Sequence, residues 1–289
     1  MDASLFAIQG LNAIQLGVML FLMSAGLTLV FGIMNLINLA HGSLYMLGAY
    51  LAATFQRFSG SFLLGIALAI PVVMAIGVLM ELIVLRRLYD RDHLDQVLAT
   101  FALILFFNEL VRMVWGPQAY FMSPPPALSG SVSILPGVPY PAYRLFIVAV
   151  GLLLALGLYL LIHRTRLGML IRAGASNREM VGALGVNVSL LFTLVFGLGA
   201  GLAGFAGMMA GPILSVEIGM GESILILTFV VIVIGGIGSV RGAFVAAMLI
   251  GFADTFGRVL LPPALASMVI YILMAAVLFK RPQGLFPAG

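Results

Sequence analysis

The sequence predicts an all-α, polytopic membrane helix bundle of eight to nine spans. Three observations carry that prediction: a depleted charge content, apolar runs of membrane-crossing length, and basic residues gathered in alternate connections. Hydrophobic residues make up 63% of the chain and charged residues 8%, against about 25% charged in a soluble domain, which excludes a water-soluble globular fold. A bilayer core takes about 20 apolar residues to cross. The 289 residues therefore supply eight or nine spans and leave little for an extramembrane domain, so residues 1–289 read as one transmembrane domain. The 34 glycines and 20 phenylalanines suit transmembrane helices, where small residues let backbones approach. The alternating, roughly 10-residue strands of a membrane β-barrel are absent. Without cysteine there is neither a disulfide nor a thiolate metal site.

Apolar runs between polar punctuation place spans at 11–34, 36–56, 61–85, 97–115, 144–163, 189–211, 223–239, 243–261 and 264–279. Only Asp2 precedes the first long run, and no basic region does, so the first segment is expected to be a retained helix and not a signal peptide. The segment 36–56 follows almost without a loop and carries Asn38, His41 and Gly42 after Asn35. It is either a full span or a broken, re-entrant helix. The loop 116–143 holds seven of the 13 prolines (117, 124, 125, 126, 136, 139 and 141) and cannot be helical through its middle. Its flanking Trp115, Tyr120, Tyr140 and Tyr143 suit the headgroup level. It reads either as an extended spacer over the bundle or as a docking surface.

Arg86, Arg87, Arg91, Arg164, Arg166, Arg172, Arg178, Arg241, Lys280 and Arg281 fall in alternate connections. The opposite side carries only Arg57, Arg112, Arg144 and Arg258. Ten against four puts the richer side, and with it the C-terminus, in the cytoplasm. The net charge of +4 is thus topological, and nucleic acid is a poor reading of it.

Several chemistries are missing from the sequence. It has no G-x-x-x-x-G-K-[ST] loop and a single lysine, Lys280, so this chain does not bind ATP by that route. Histidines 41, 93 and 163 are too scattered to place a metal on one helix, and no serine has an evident basic partner, so no metal site and no enzyme is expected. Ionisable groups inside spans cost about 2.5–3.5 kcal/mol each at a helix centre. Glu109 and Arg112 are three apart, and Asp254 and Arg258 four apart, near span ends, which places each pair on one helix face. Such self-paired acids weigh against an ion relay.

Gly197, Gly201, Gly204, Gly207 and Gly211 advance by 4, 3, 3 and 4 and hold to one stripe of a helix. The stripe reads as close helix packing or as a glycine-lined passage. Gly235, Gly236, Gly238 and Gly242 around Ser239 and Arg241 read as a turn between two spans. In the connection 164–188, Ser176-Asn177-Arg178-Glu179 has the form of an S-x-x-E capping box, so a helix is expected to start at Asn177. Gly185 is placed to end it in the left-handed conformation. Met180, Val181 and Leu184 then share one side, with Arg178 and Glu179 free for solvent or a partner. A two-turn helix is too short to stand alone in water. Either the bundle beneath or a docked protein holds it.

The residues Phe31-Gly-Ile-Met-Asn-Leu-Ile-Asn-Leu-Ala-His-Gly-Ser-Leu-Tyr-Met-Leu-Gly-Ala-Tyr50 resemble the N-terminal signature of the LivH-type permeases of branched-chain amino acid ABC importers. Arg172-Ala173, Asn177 and Gly185-Val186-Asn187 resemble that family's cytoplasmic loop, and Gly235-Gly-Ile-Gly-Ser-Val-Arg-Gly242 its late turn. The resemblance implies a multi-pass protein of the bacterial inner membrane that works with a second, LivM-like permease, two cytoplasmic ATPases and a periplasmic substrate-binding protein. ATP and magnesium then belong to the ATPases, and this chain binds no cofactor. It also implies that residues 176–185 are a coupling helix seated on an ATPase, with Arg172, Ser176, Asn177, Arg178, Glu179, Met180, Gly182, Gly185 and Asn187 at that interface. Asn35, Asn38, His41 and Tyr45 lie where helix is expected to break, and polar groups at such breaks either line a cavity or brace the break. The solute implied is a branched-chain or other hydrophobic amino acid, or a small relative such as urea or an amide. Two other readings stand beside this one: an ion-coupled secondary carrier without ATPase subunits, and a helical scaffold without a transport path.

Overall fold

Once water is excluded, each backbone N–H and C=O needs a partner within its own segment, and apolar runs resolve this as helix. The structure, a computed structural model, describes residues 3–135 and 138–286; Asp2 and Pro136 lie outside the described residues. The chain forms α1 (Ala3–Met34), α2 (His41–Ser59), α3 (Phe62–Ile83) and α4 (His93–Trp115). After an outer loop come α5 (Ala142–Arg164), α6 (Arg166–Ser176), α7 (Arg178–Ala183) and α8 (Val188–Ala210). The last group is α9 (Met220–Gly235), α10 (Val240–Leu260), α11 (Pro263–Ala266) and α12 (Val269–Lys280). Among the described residues, seven helical segments, with Pro263–Lys280 taken as one, are long and apolar enough to cross a membrane. Of the nine expected spans, α9 falls short in length at 16 residues and α2 in apolar content.

The differences from the sequence reading have local causes. Helix α1 starts well ahead of residue 11 because its polar residues are satisfied and do not stop it. Asn12 donates to Gln9 at 3.2 Å and accepts from Tyr140 at 2.9 Å and Arg144 at 2.8 Å. The expected span 36–56 is helical only from His41, after a non-helical stretch at 35–40. The connection 164–188 contains two helices, α6 and α7, where one was expected. The outer loop holds a one-turn 3-10 helix at Pro126–Leu128 and a two-stranded antiparallel ribbon of β1 (Ser131–Leu135) and β2 (Val138–Pro141). Alternate prolines leave Tyr140 in register with Val132.

Helix α1 forms the axis: 83% of its membrane-length window is buried, against 11% for the segment ending in α12. It packs on α10 and α8, and α2 packs on α8 and α3. Helices α4, α5 and α12 are peripheral. The stripe on α8 turns to two neighbours. A Cβ on Gly197, Gly201 or Gly204 would press on Val78, Met74 or Val73 of α3, and one on Gly207 would collide with the Tyr45 carbonyl of α2. Gly211 faces Met122. On another face of α8, a Cβ on Gly26 would come within 2.6 Å of the Gly199 carbonyl. Backbone therefore rests on backbone through the centre.

Candidate functional site

The basic end of the bundle is built from tight reversals. Helix α5 gives way to α6 at Thr165, whose hydroxyl accepts from the Gly168 N–H at 3.1 Å. Gly168 lies so close to the Ile162 carbonyl that no side chain fits. Arg172 donates to that same carbonyl, fastening α6 to the end of α5. Asn177 then ends α6 and starts α7, its extended backbone separating the two and its Oδ1 accepting from the Met180 N–H at 2.9 Å.

This corrects the expected capping box. Ser176 is the last residue of α6, and Asn177 caps α7 in its place. Asparagine serves here as well as serine, because its side-chain oxygen reaches the same orphan donors. Gly185 has φ +86. The Gly185 N–H donates to the Gly182 carbonyl at 3.0 Å and the Val186 N–H to the Val181 carbonyl at 3.3 Å, the paired bonds of a Schellman stop. Asn187 then caps α8 through the Leu190 N–H at 3.0 Å. The expected common side of Met180, Val181 and Leu184 divides: Val181 is buried, while Met180 is 58% and Leu184 76% exposed. Arg178 and Glu179 are exposed, Arg178 lying 4.0 Å from Asp90.

A polar cavity of about 990 Å³ opens beside α7, between Asn35, the 89–93 loop, Gln96, residues 174–179 and the Ile237-Gly238 turn. It brings together Asn35, Ser176, Asn177, Arg178 and Glu179, which the sequence separates by some 140 residues. Asn35 reaches the cavity with a left-handed backbone, φ +51, a conformation that asparagine tolerates better than most side chains. The other residues of the break behave differently. Asn38 and His41 are fully buried, and the Asn38 amide and both His41 ring nitrogens have no hydrogen-bond partner among the described residues. Tyr45 is buried. Arg172 lines a second, largely apolar cavity of about 710 Å³ between α1, α5, α6 and α10.

Two further polar residues at this end escaped the sequence reading. Gln96 ties the break to the loop: its Oε1 accepts from the Ile37 N–H and His93 Nδ1, both at 3.3 Å, and its Nε2 donates to the Leu88 and Arg91 carbonyls at 3.1 and 3.2 Å. Glu81 is fully buried near the end of α3. It accepts from Tyr89 at 2.6 Å, Arg86 at 3.1 and 3.2 Å, and Thr193 of α8 at 2.9 Å. Burial, and then the bond to Glu81, push the Tyr89 hydroxyl well above its usual range, so it stays a donor. The signal was available: Glu81 is an acid within an expected span, as Glu109 is. The two expected pairs form, Arg112–Glu109 and Arg258–Asp254, each at 2.8 Å.

Residues 10–278 match the family model described as branched-chain amino acid transport system / permease component. The chain is 31% identical to the high-affinity branched-chain amino acid transport system permease protein BraD of Pseudomonas aeruginosa, over 96% of this chain and 94% of that one. It is 28% identical to the corresponding permease protein LivH of Salmonella typhimurium, over 97% and 95%. Similarity extends to LivM of the same organism, 29% identical over 92% of this chain and 67% of that protein. No solved structure matches.

Proposed function

The chain belongs to the branched-chain amino acid transport permease family, and from that premise we propose that it passes branched-chain or other hydrophobic amino acids inward, driven by ATP hydrolysed in other subunits. It is a multi-pass membrane protein and a permease component. In this reading its basic end and C-terminus face the cytoplasm of a bacterial inner membrane. It pairs with a second, LivM-like permease, two ATPases bind below, a periplasmic binding protein delivers the solute, and no cofactor sits in this chain. Urea or an amide remains within the chemistry of the reading.

One observation carries the energy coupling. Helix α7 and its C-cap turn Met180 and Leu184 outward, 58% and 76% exposed, while Arg178 and Glu179 at its start line the 990 Å³ polar cavity. Two adjacent large apolar side chains on so short a helix suit a protein groove, since apolar area removed from water is the main favourable term in docking. A single residue, Asn177, separates α7 from α6, and four separate it from α8. Such short pivots carry force into the bundle. Closure of the ATPases pushes α7, and α6 and α8 tilt as rigid bodies to alternate access. The match to a transport-system permease component over residues 10–278 favours this reading over the ion-coupled carrier.

The test is co-purification. Replacing Glu179→Arg, or deleting 177–184, is expected to leave the permease in the membrane and release both ATPases. Uptake by the isolated chain on an ion gradient, without ATP, would overturn the proposal.

A further inference from the structure

Helices α4 and α9 each present a mixed stripe away from the bundle. On α4, Leu105 is exposed one turn below Asn108, and on α9, Ile226 is exposed one turn below Glu222. Asn108 Nδ2 donates to Glu222 Oε1 at 2.6 Å, joining the two stripes. Glu222 is exposed and takes part in none of the ion pairs among the described residues.

Its depth follows from two helices read as rulers. Trp115, Tyr50 and Tyr120 cluster at the proline-rich end, with ring centroids 5.3 and 5.9 Å apart, as suits a membrane interface. Asn108 lies seven residues before Trp115 on α4, about 10 Å deeper at 1.5 Å per residue. Gly42 lies eight residues before Tyr50 on α2, about 12 Å deeper, and it packs against Gly221, the neighbour of Glu222. Both rulers set Glu222 roughly a third of the way into a hydrocarbon core about 30 Å thick. An exposed carboxylate without a cation does not face lipid at that depth; it faces water or a cationic group.

We infer that Asn108 and Glu222 form an ammonium-binding site on the wall of the solute passage, holding the amino group of an aliphatic amino acid above Leu105 and Ile226. A primary ammonium has three N–H donors and no acceptor. With Glu222 Oε1 engaged by Asn108 Nδ2, Glu222 Oε2 and Asn108 Oδ1 remain as acceptors without a protein donor among the described residues. Both helices turn an apolar side chain to the same level one turn deeper, where an aliphatic side chain finds its contact. The inference rests on the importer reading and adds to it the charge of the recognised group.

The chain has no cysteine, so Ser223→Cys, beside Glu222 and exposed, supplies the single thiol of the complex once any cysteines of the other subunits are replaced. In the assembled complex that thiol is expected to react at least fivefold faster with a cationic than with an anionic methanethiosulfonate, and Glu222→Gln to abolish the difference. Glu222→Gln is further expected to lower leucine uptake at least tenfold in a complex that still assembles with its ATPases, with Glu222→Asp intermediate. An inert thiol, a thiol without charge preference, or normal uptake by Glu222→Gln overturns the site. So does failure of both Glu222 variants to assemble, which makes the carboxylate a subunit contact. If the Ser223→Cys thiol shows the labelling preference while the complex with Ser223 intact shows no ATP-driven uptake, the importer reading itself is overturned, and the transported ammonium with it.

Discussion

The centre of the bundle and the α6–α7 elbow are held by opposite means. At the centre, glycine lets backbone meet backbone: Gly26 on Gly199, Gly42 on Gly221, Gly48 on Gly204. Such packing has no slack, and a close-packed interior shifts as a unit when pushed. At the elbow, single side-chain caps at Thr165 and Asn177 start the short helices α6 and α7, whose Met169 and Met180 stay exposed, and Asn187 starts α8. The difference teaches where force enters and where it is only passed on. A stiff centre joined through short pivots to a weakly held lever converts a local push into a tilt of whole spans.

Substitutions sharpen that contrast. The largest effect is expected from Gly204→Leu, because a Cβ there would already lie 2.7 Å from Val73. Overpacking between helices that touch costs about 3 kcal/mol or more, read as loss of folded protein in detergent thermal melts. The paired change Met180→Asp with Leu184→Asp should weaken ATPase association more than tenfold in pull-downs. It should leave the melting temperature unchanged, since exposed positions contribute within about 0.5 kcal/mol. Equal loss of stability in the two variants would erase the distinction between centre and lever. Glu81→Ala strands Tyr89 and Thr193 and is expected to cost about 2 kcal/mol, a value held down because Arg86 is 39% exposed and solvent takes over its charge. At the small end, Asn177→Ala should cost about 1 kcal/mol through the lost cap, while Ser176→Ala changes stability by less than about 0.5 kcal/mol. The reverse order would restore the serine cap.

The order of the spans was legible, and their number approximately so, because hydropathy and punctuation are local properties. The α6–α7 elbow was half legible. The S-x-x-E spacing of residues 176–179 marks a helix start, but Asn177 competes for the same N–H donors, and only the path of α6 decides between them. Gly185 could be read alone, because its left-handed backbone belongs to the turn itself. The tie of Gln96 to Ile37, that of Glu81 to Thr193 and the Asn108–Glu222 pair could not be read that way, because they join residues 59, 112 and 114 apart, although Glu81 was visible as an acid within a span. Glu222 also fell just outside the expected span 223–239, whereas α9 begins at Met220 and takes it into the helix. The proline-rich ribbon was hidden because alternate prolines obscure a strand until its partner is in register.

The most direct measurement places one thiol at the tip of the lever, Leu184→Cys, in an otherwise cysteine-free complex. A short bifunctional reagent is expected to join it to an ATPase subunit, with ATP changing the yield. A thiol that crosslinks to no ATPase, and instead reacts in intact cells with a reagent confined to the outside, would contradict the account.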